Sequence, residues 1–207
     1  MLKTAPGVML LRCCEMMPCG SAGDTQVRSM ANRFSLFVTI PLIIAACAAV
    51  AAGAFFAVGP ERLWERFGPA DLGEIDFATL QRRDTPNDAL ACRAEFCAAK
   101  ADIEAPVFAR PAQEMFRVVE AAVARERDLQ EIASDAAQGT LRYVQRSRLM
   151  RYPDTINVKV VDLPGSGSSV LIYSRSQLGR SDMGVNRARI ERWMGLIAAA
   201  TSLPNGE

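Results

Sequence analysis

The residues with most capacity for chemistry crowd into "SRSQLGRSDMGVNRARIERW", residues 174–193. Ser174, Ser176 and Ser181 offer hydroxyls, Arg175, Arg180, Arg187 and Arg189 offer guanidinium groups, and Asp182 and Asn186 offer further polar groups. The stretch leads from a strand-like run into a helix-like run. Free backbone N–H groups at a helix start, with arginines beside them, suit an anion. Arg175, Arg180, Ser181, Asp182, Asn186 and Arg187 are therefore the candidate ligand-binding set, with Arg142 and Arg146 as flanking charge. A nucleophilic serine is poorly served. The chain contains no histidine, which removes Ser-His-Asp and Cys-His machinery and every His metal ligand. Asp182 is the candidate acid/base of a hydrolase, although a helix start favours its ionised form. The structural alternative is a capped turn, in which Ser181 or Asp182 accepts a hydrogen bond from a free N–H of the helix.

Cys92 and Cys97, with four residues between them, are the second chemical feature. In an oxidising compartment they form a small disulfide, for which chain entropy suggests about 2 kcal/mol. A redox or metal role is the alternative, but two thiolates without histidine make a poor metal site. No metal and no cofactor is expected. The net charge of +1, from 24 basic and 23 acidic residues, gives no overall attraction to nucleic acid.

The elements that must position these residues lie between about 84 and 203. "ADIEAPVFA" reads as a short strand, and "PAQEMFRVVEAAVARE" as a helix with Pro111 in its first turn and an apolar stripe of Met115, Val118, Val119, Ala122 and Val123. "RDLQEIAS" is a further strand candidate. "TLRYVQRSRLM", "TINVKVVDL" and "SSVLIYSRS" are strands rich in β-branched and aromatic residues. The last helix spans about 183–200 and buries Ile190, Trp193, Met194 and Ile197. Consecutive strands on short turns imply an antiparallel sheet of about four or five strands, with two helices on one face: an α+β domain. Alternation places Arg142, Arg146, Lys159 and Arg175 on the opposite face, either as a solvated surface or as an anion-binding one.

Residues 34–58, "FSLFVTIPLIIAACAAVAAGAFFAV", carry no charge. As a helix they reach about 37 Å, enough for a bilayer core of about 30 Å. Arg28 and Arg33 precede the run. The bias of basic residues predicts one span of the inner membrane, a cytoplasmic N-terminus and a periplasmic domain. A cleaved signal peptide and a lipoprotein modified at Cys47 of "IAAC" are the alternatives. Ala45, Ala49, Gly53 and Ala57 recur every four residues, a spacing that permits a homodimer through the span. Residues 1–33, with Cys13, Cys14 and Cys19, read as a disordered or non-native extension, and Met30 as a candidate start. Residues 59–83 read as a linker that docks in places, with Leu63, Trp64 and Phe67 at the membrane surface; residues 204–207 are a tail.

"IYSRSQLGRSDMGVNRARIERW", "RRDTPNDALAC" and "RYPDTINVKV" resemble blocks of the family catalogued as domain of unknown function 1499. The resemblance covers about residues 83–197. It implies a small envelope-associated domain, often behind a membrane segment, and carries over no catalytic residue. The expectation is a non-enzymatic, membrane-anchored module that binds an anionic ligand (a lipid or glycan) or an envelope protein through residues 174–192. A hydrolase of anionic envelope material and a structural subunit of a membrane complex are the alternatives.

Overall fold

The computed structural model describes the backbone of residues 22–165 and 167–202, and side chains from residue 37 onward. Cys13, Cys14, Cys19 and residues 204–207 lie outside the described residues. The chain divides into two compact units, Met1–Ala54 and Phe55–Glu207.

The first unit is built on helix α1, Ala22–Val58, which starts earlier than the expected 34 and carries Pro41 inside it. Its stretch Phe37–Val58 is long and apolar enough to cross a membrane, and none of it is buried in the structure. Ala45, Ala49 and Gly53 are exposed on it, as is Ala57 in the second unit.

The second unit begins with the end of α1 and the short helix α2, Pro60–Trp64, followed by a 3-10 turn, Glu65–Phe67. Seven strands follow: β1 Asp88–Cys92, β2 Ile103–Glu104, β3 Val107–Phe108, β4 Leu129–Asp135, β5 Thr140–Arg146, β6 Pro153–Leu163 and β7 Gly167–Ser176. Helix α3, Ala112–Val123, lies between β3 and β4, and α4, Val185–Ser202, closes the domain. The sheet order is β2-β1-β7-β6-β5-β4, with β3 also on β7. The class is α+β as expected, but the sheet has seven strands rather than four or five, and it is mixed. β1 and β2 run parallel, joined by the loop that holds the disulfide. The expected strand "ADIEAPVFA" is two short strands, because Pro106 between them has no N–H for a ladder. β1 is an addition to the expected strands: "DALAC" is short and Ala-rich, with little strand propensity.

Helices α3 and α4 cover one face. Met115, Phe116, Val119 and Val123 of α3 and Ile190, Trp193 and Ile197 of α4 meet Leu141, Tyr143, Ile156, Val158, Val170 and Ile172 from the strands. Tyr143 and Trp193 pack edge to face at 5.8 Å. This is the face that period-two alternation predicts.

The other face is not left bare to solvent either, since an irregular segment covers much of it. Phe77 and Leu80 pack on Leu90, Cys92, Leu171 and Tyr173. Residues 69–80, expected within a linker, form a strap across the sheet. The polar residues of that face hold it. Thr155 Oγ1 accepts from Leu72 N at 2.9 Å and donates to Ala70 O at 3.2 Å. Asn157 Nδ2 donates to Gly73 O at 3.3 Å, and Gln177 Nε2 to Pro69 O at 2.6 Å. Arg175 donates to Leu72 O at 2.7 Å, and Arg142 to Asp71 at 3.1 Å.

Candidate functional site

Asp182 is the cap of α4. Its Oδ2 accepts from Asn186 N at 2.8 Å and its Oδ1 from Gly184 N at 3.0 Å. Ser181 Oγ accepts from Met183 N at 3.3 Å. Gly184 sits at φ 81°, so the turn itself calls for glycine; the space beside it is open, and close approach is not the reason. Both Asp182 oxygens are engaged by backbone, which withdraws support from a hydrolase built on that carboxylate.

Below the cap lies a buried polar network. Arg189, on the apolar stripe of α4, is 5% exposed. It donates to Asp154 Oδ2 at 2.6 Å, Gln145 Oε1 at 2.6 Å, Ser174 Oγ at 2.7 Å and Asn186 Oδ1 at 2.7 Å. Ser174 Oγ donates to Asn186 Oδ1 at 2.6 Å. Asn186 Nδ2 donates to Asn87 O and to Ser176 Oγ, each at 3.0 Å. Asn87 Nδ2 donates to Gly179 O at 2.8 Å, so the network also fixes the turn after β7. Outside it, Glu126 binds Arg192 at 2.6 Å and accepts from Gln145 at 3.2 Å. The Arg192 hydrogen bond holds the Glu126 carboxyl below the usual carboxylate range.

The expected anion set is not brought together. Arg175 and Arg142 are spent on the strap. Burial lowers the pKa of Arg175, whose guanidinium lies 5.8 Å from the Tyr173 ring centroid. Arg146 faces Glu61 at 3.6 Å. Arg187 pairs with Glu191 at 2.9 Å, one turn on along the exposed side of α4. Asn186 is fully buried. Arg180 is exposed and makes no ion pair among the described residues. Ser181 and Asp182 do share a site, which is a cleft of about 520 Å³.

That cleft is mostly apolar. Trp64, Phe67 and Tyr152 line it as an aromatic cluster, with Trp64–Tyr152 centroids at 4.6 Å and Trp64–Phe67 at 6.3 Å. Leu178, Met183 and Val185 line it from the strand-to-helix segment, and the buried polar residues Asp154 and Ser176 complete it. Trp64 Nε1 donates to Met150 O at 2.6 Å and ties its segment to the β5–β6 turn. The aromatic cluster joins residues from remote parts of the chain, which no local pattern predicts. The position of Arg189 does carry a local signal: it is three residues after Asn186 and four before Trp193, on the buried stripe.

Cys92 and Cys97 are bonded as a disulfide, with Cα atoms 6.3 Å apart. Cys47 is a free, exposed thiol. No group of three His, Cys, Asp or Glu side chains able to hold a metal ion occurs among the described residues.

The family described as "Protein of unknown function (DUF1499)" matches residues 79–197. The chain belongs to this family. The three blocks that carry the resemblance meet in the buried network: Asn87 from the first, Asp154 from the second, and Ser174, Ser176, Asn186 and Arg189 from the third. No curated protein matches the chain. Among solved structures it is similar to TTHA0849 from Thermus thermophilus, at 11% identity over 55% of this chain and 90% of that one. The TM-score is 0.26, and the likeness carries no weight for fold or function.

Proposed function

We propose that this protein is a membrane-anchored, non-enzymatic binding module of the cell envelope, and that its cleft takes an apolar chain such as a lipid acyl group. In this reading Phe37–Val58 spans the inner membrane, the N-terminus is cytoplasmic, and the disulfide-bonded domain is periplasmic.

The observation that carries the reading is the cleft itself. Its volume of about 520 Å³ lies in the range of small-molecule sites, and such sites are apolar with a few placed polar groups. Here Asp154 and Ser176 are those groups. Its charged lining residues, Asp154 and Asp182, are already engaged by Arg189 and by the start of α4, no arginine lines it among the described residues, and the arginines expected to bind an anion are mostly paired elsewhere. The segment 174–192 remains the binding element, but its apolar side chains do the binding.

The test uses the full chain in detergent with a photoreactive diazirine fatty acid. Crosslinks are expected on peptides containing Leu178–Val185 and Tyr152, competed by excess unlabelled fatty acid. Val185→Asp should remove most of them. Val185 is half exposed in the first turn of α4, where an acidic residue favours the helix, so the variant folds. Crosslinks confined to Phe37–Val58 would overturn the reading.

A further inference from the structure

One end of the domain differs from the rest of its surface. β5 ends at Arg146, β6 starts at Pro153 and β7 ends at Ser176, so the β5–β6 turn and the stretch after β7 emerge together at that end of the sheet, and the turn Glu65–Phe67 joins them through the Trp64–Tyr152 contact. Each presents large apolar side chains to solvent. Phe67 is 65% exposed, Leu149 68% and Met183 95%. Tyr152 and Val185 are exposed beside them. The opposite end of the sheet carries the polar turn "DAAQG", residues 135–139.

Apolar side chains so exposed and so grouped call for a partner. The chain itself indicates which one. The apolar run of α1 ends at Val58, and Pro60 starts α2 directly after it. Phe56 and Val58, in the last turn of that run, share a groove of the second unit with Arg148 and Leu149. Trp64 lies in the next turn, and such rings settle at the level of lipid headgroups. Arg62, Arg66 and Arg148 are exposed there and make no ion pair among the described residues, as residues facing lipid phosphates would be placed.

We propose that this end of the domain lies on the headgroup layer of an anionic phospholipid bilayer, with Phe67, Leu149, Met183 and Val185 dipping into it. The mouth of the cleft then opens onto the membrane. The inference rests on the anchoring half of the proposed function and not on the acyl ligand.

The experiment uses the full chain with Cys13, Cys14, Cys19 and Cys47 replaced by Ser and the Cys92–Cys97 bond kept. An environment-sensitive NBD label is placed at Met183→Cys or, at the far end of the sheet, at Ala137→Cys. Both positions are exposed. The chain is reconstituted in vesicles of phosphatidylethanolamine and phosphatidylglycerol, with and without lipids that carry a doxyl quencher near the headgroup. The label at 183 is expected to shift to the blue and lose most of its emission to the quencher, while the label at 137 keeps its own. If neither label is quenched although the chain stays with the vesicles through alkaline carbonate, the docked face is wrong and the anchor stands. Equal quenching of both also overturns the proposal, since no face is then preferred. Release of the chain by carbonate overturns the anchor and this inference together.

Discussion

The two faces of the sheet are covered by different means. One is packed by α3 and α4 through an apolar core that, among the described residues, buries one charged pair, Arg189 with Asp154. The other is covered by a strap without regular structure, held by Arg142, Thr155, Asn157 and Arg175 at residues 71–73 and by Phe77 and Leu80 further along. An arginine thus has two structural uses in one domain. Arg189 is a desolvated strut whose loss strands a buried carboxylate. Arg142 is a partly exposed clasp on a neighbouring segment. Breaking a buried pair leaves an uncompensated charge, whereas a clasp near water loses little.

The largest effect should therefore come from Arg189→Ala. We expect a loss of about 3–5 kcal/mol, measured by denaturant unfolding followed through the emission of the buried Trp193. Arg142→Ala should cost about 1 kcal/mol or less in the same assay. Equal costs would erase the distinction between the faces. Next comes Phe77→Ala, in the strap. Removing a buried Phe costs about 3 kcal/mol at the low end of its range. Hydrogen exchange should speed up across residues 70–80 and stay slow in α3. If α3 loosens equally, the strap is no separate layer.

The smallest effect concerns Glu126, which buttresses Gln145 on the helix-covered side. Its carboxyl is depressed in the folded state, chiefly by Arg192. The stabilisation is therefore full above the ordinary Glu value of about 4.3 and fades as pH falls through the lower folded value. Glu126→Gln should cost under about 1 kcal/mol at neutral pH, a cost that disappears as pH falls through the folded value, so the acid limb of the stability profile flattens. An unaltered limb would remove Glu126 from the account.

The helix-covered face is legible in the sequence because both of its periods are regular. Leu141, Tyr143, Ile156 and Val158 alternate in their strands, and Ile190, Trp193 and Ile197 recur along α4. The disulfide is legible from the spacing of Cys92 and Cys97. The strap is not. Arginines on alternate strand positions read the same whether water or another segment covers them, and residues 69–80 have no periodicity to announce burial. The candidate site is half legible: Ser181, Asp182 and their turn sit where expected, but the partners that make it a cleft, Trp64, Phe67 and Tyr152, come from remote stretches. Charge density points the sequence reading toward an anion, and the ion pairs formed on folding remove most of that charge from the site.

The central claim is that the cleft, rather than the arginines around it, binds. The direct measurement is competitive crosslinking of the diazirine fatty acid to the full chain, run side by side on Val185→Asp and on an Arg180→Ala, Arg187→Ala double variant. Val185→Asp is expected to lose most of the label at Leu178–Val185 while the double variant keeps it. Label lost in the double variant and retained in Val185→Asp would contradict it.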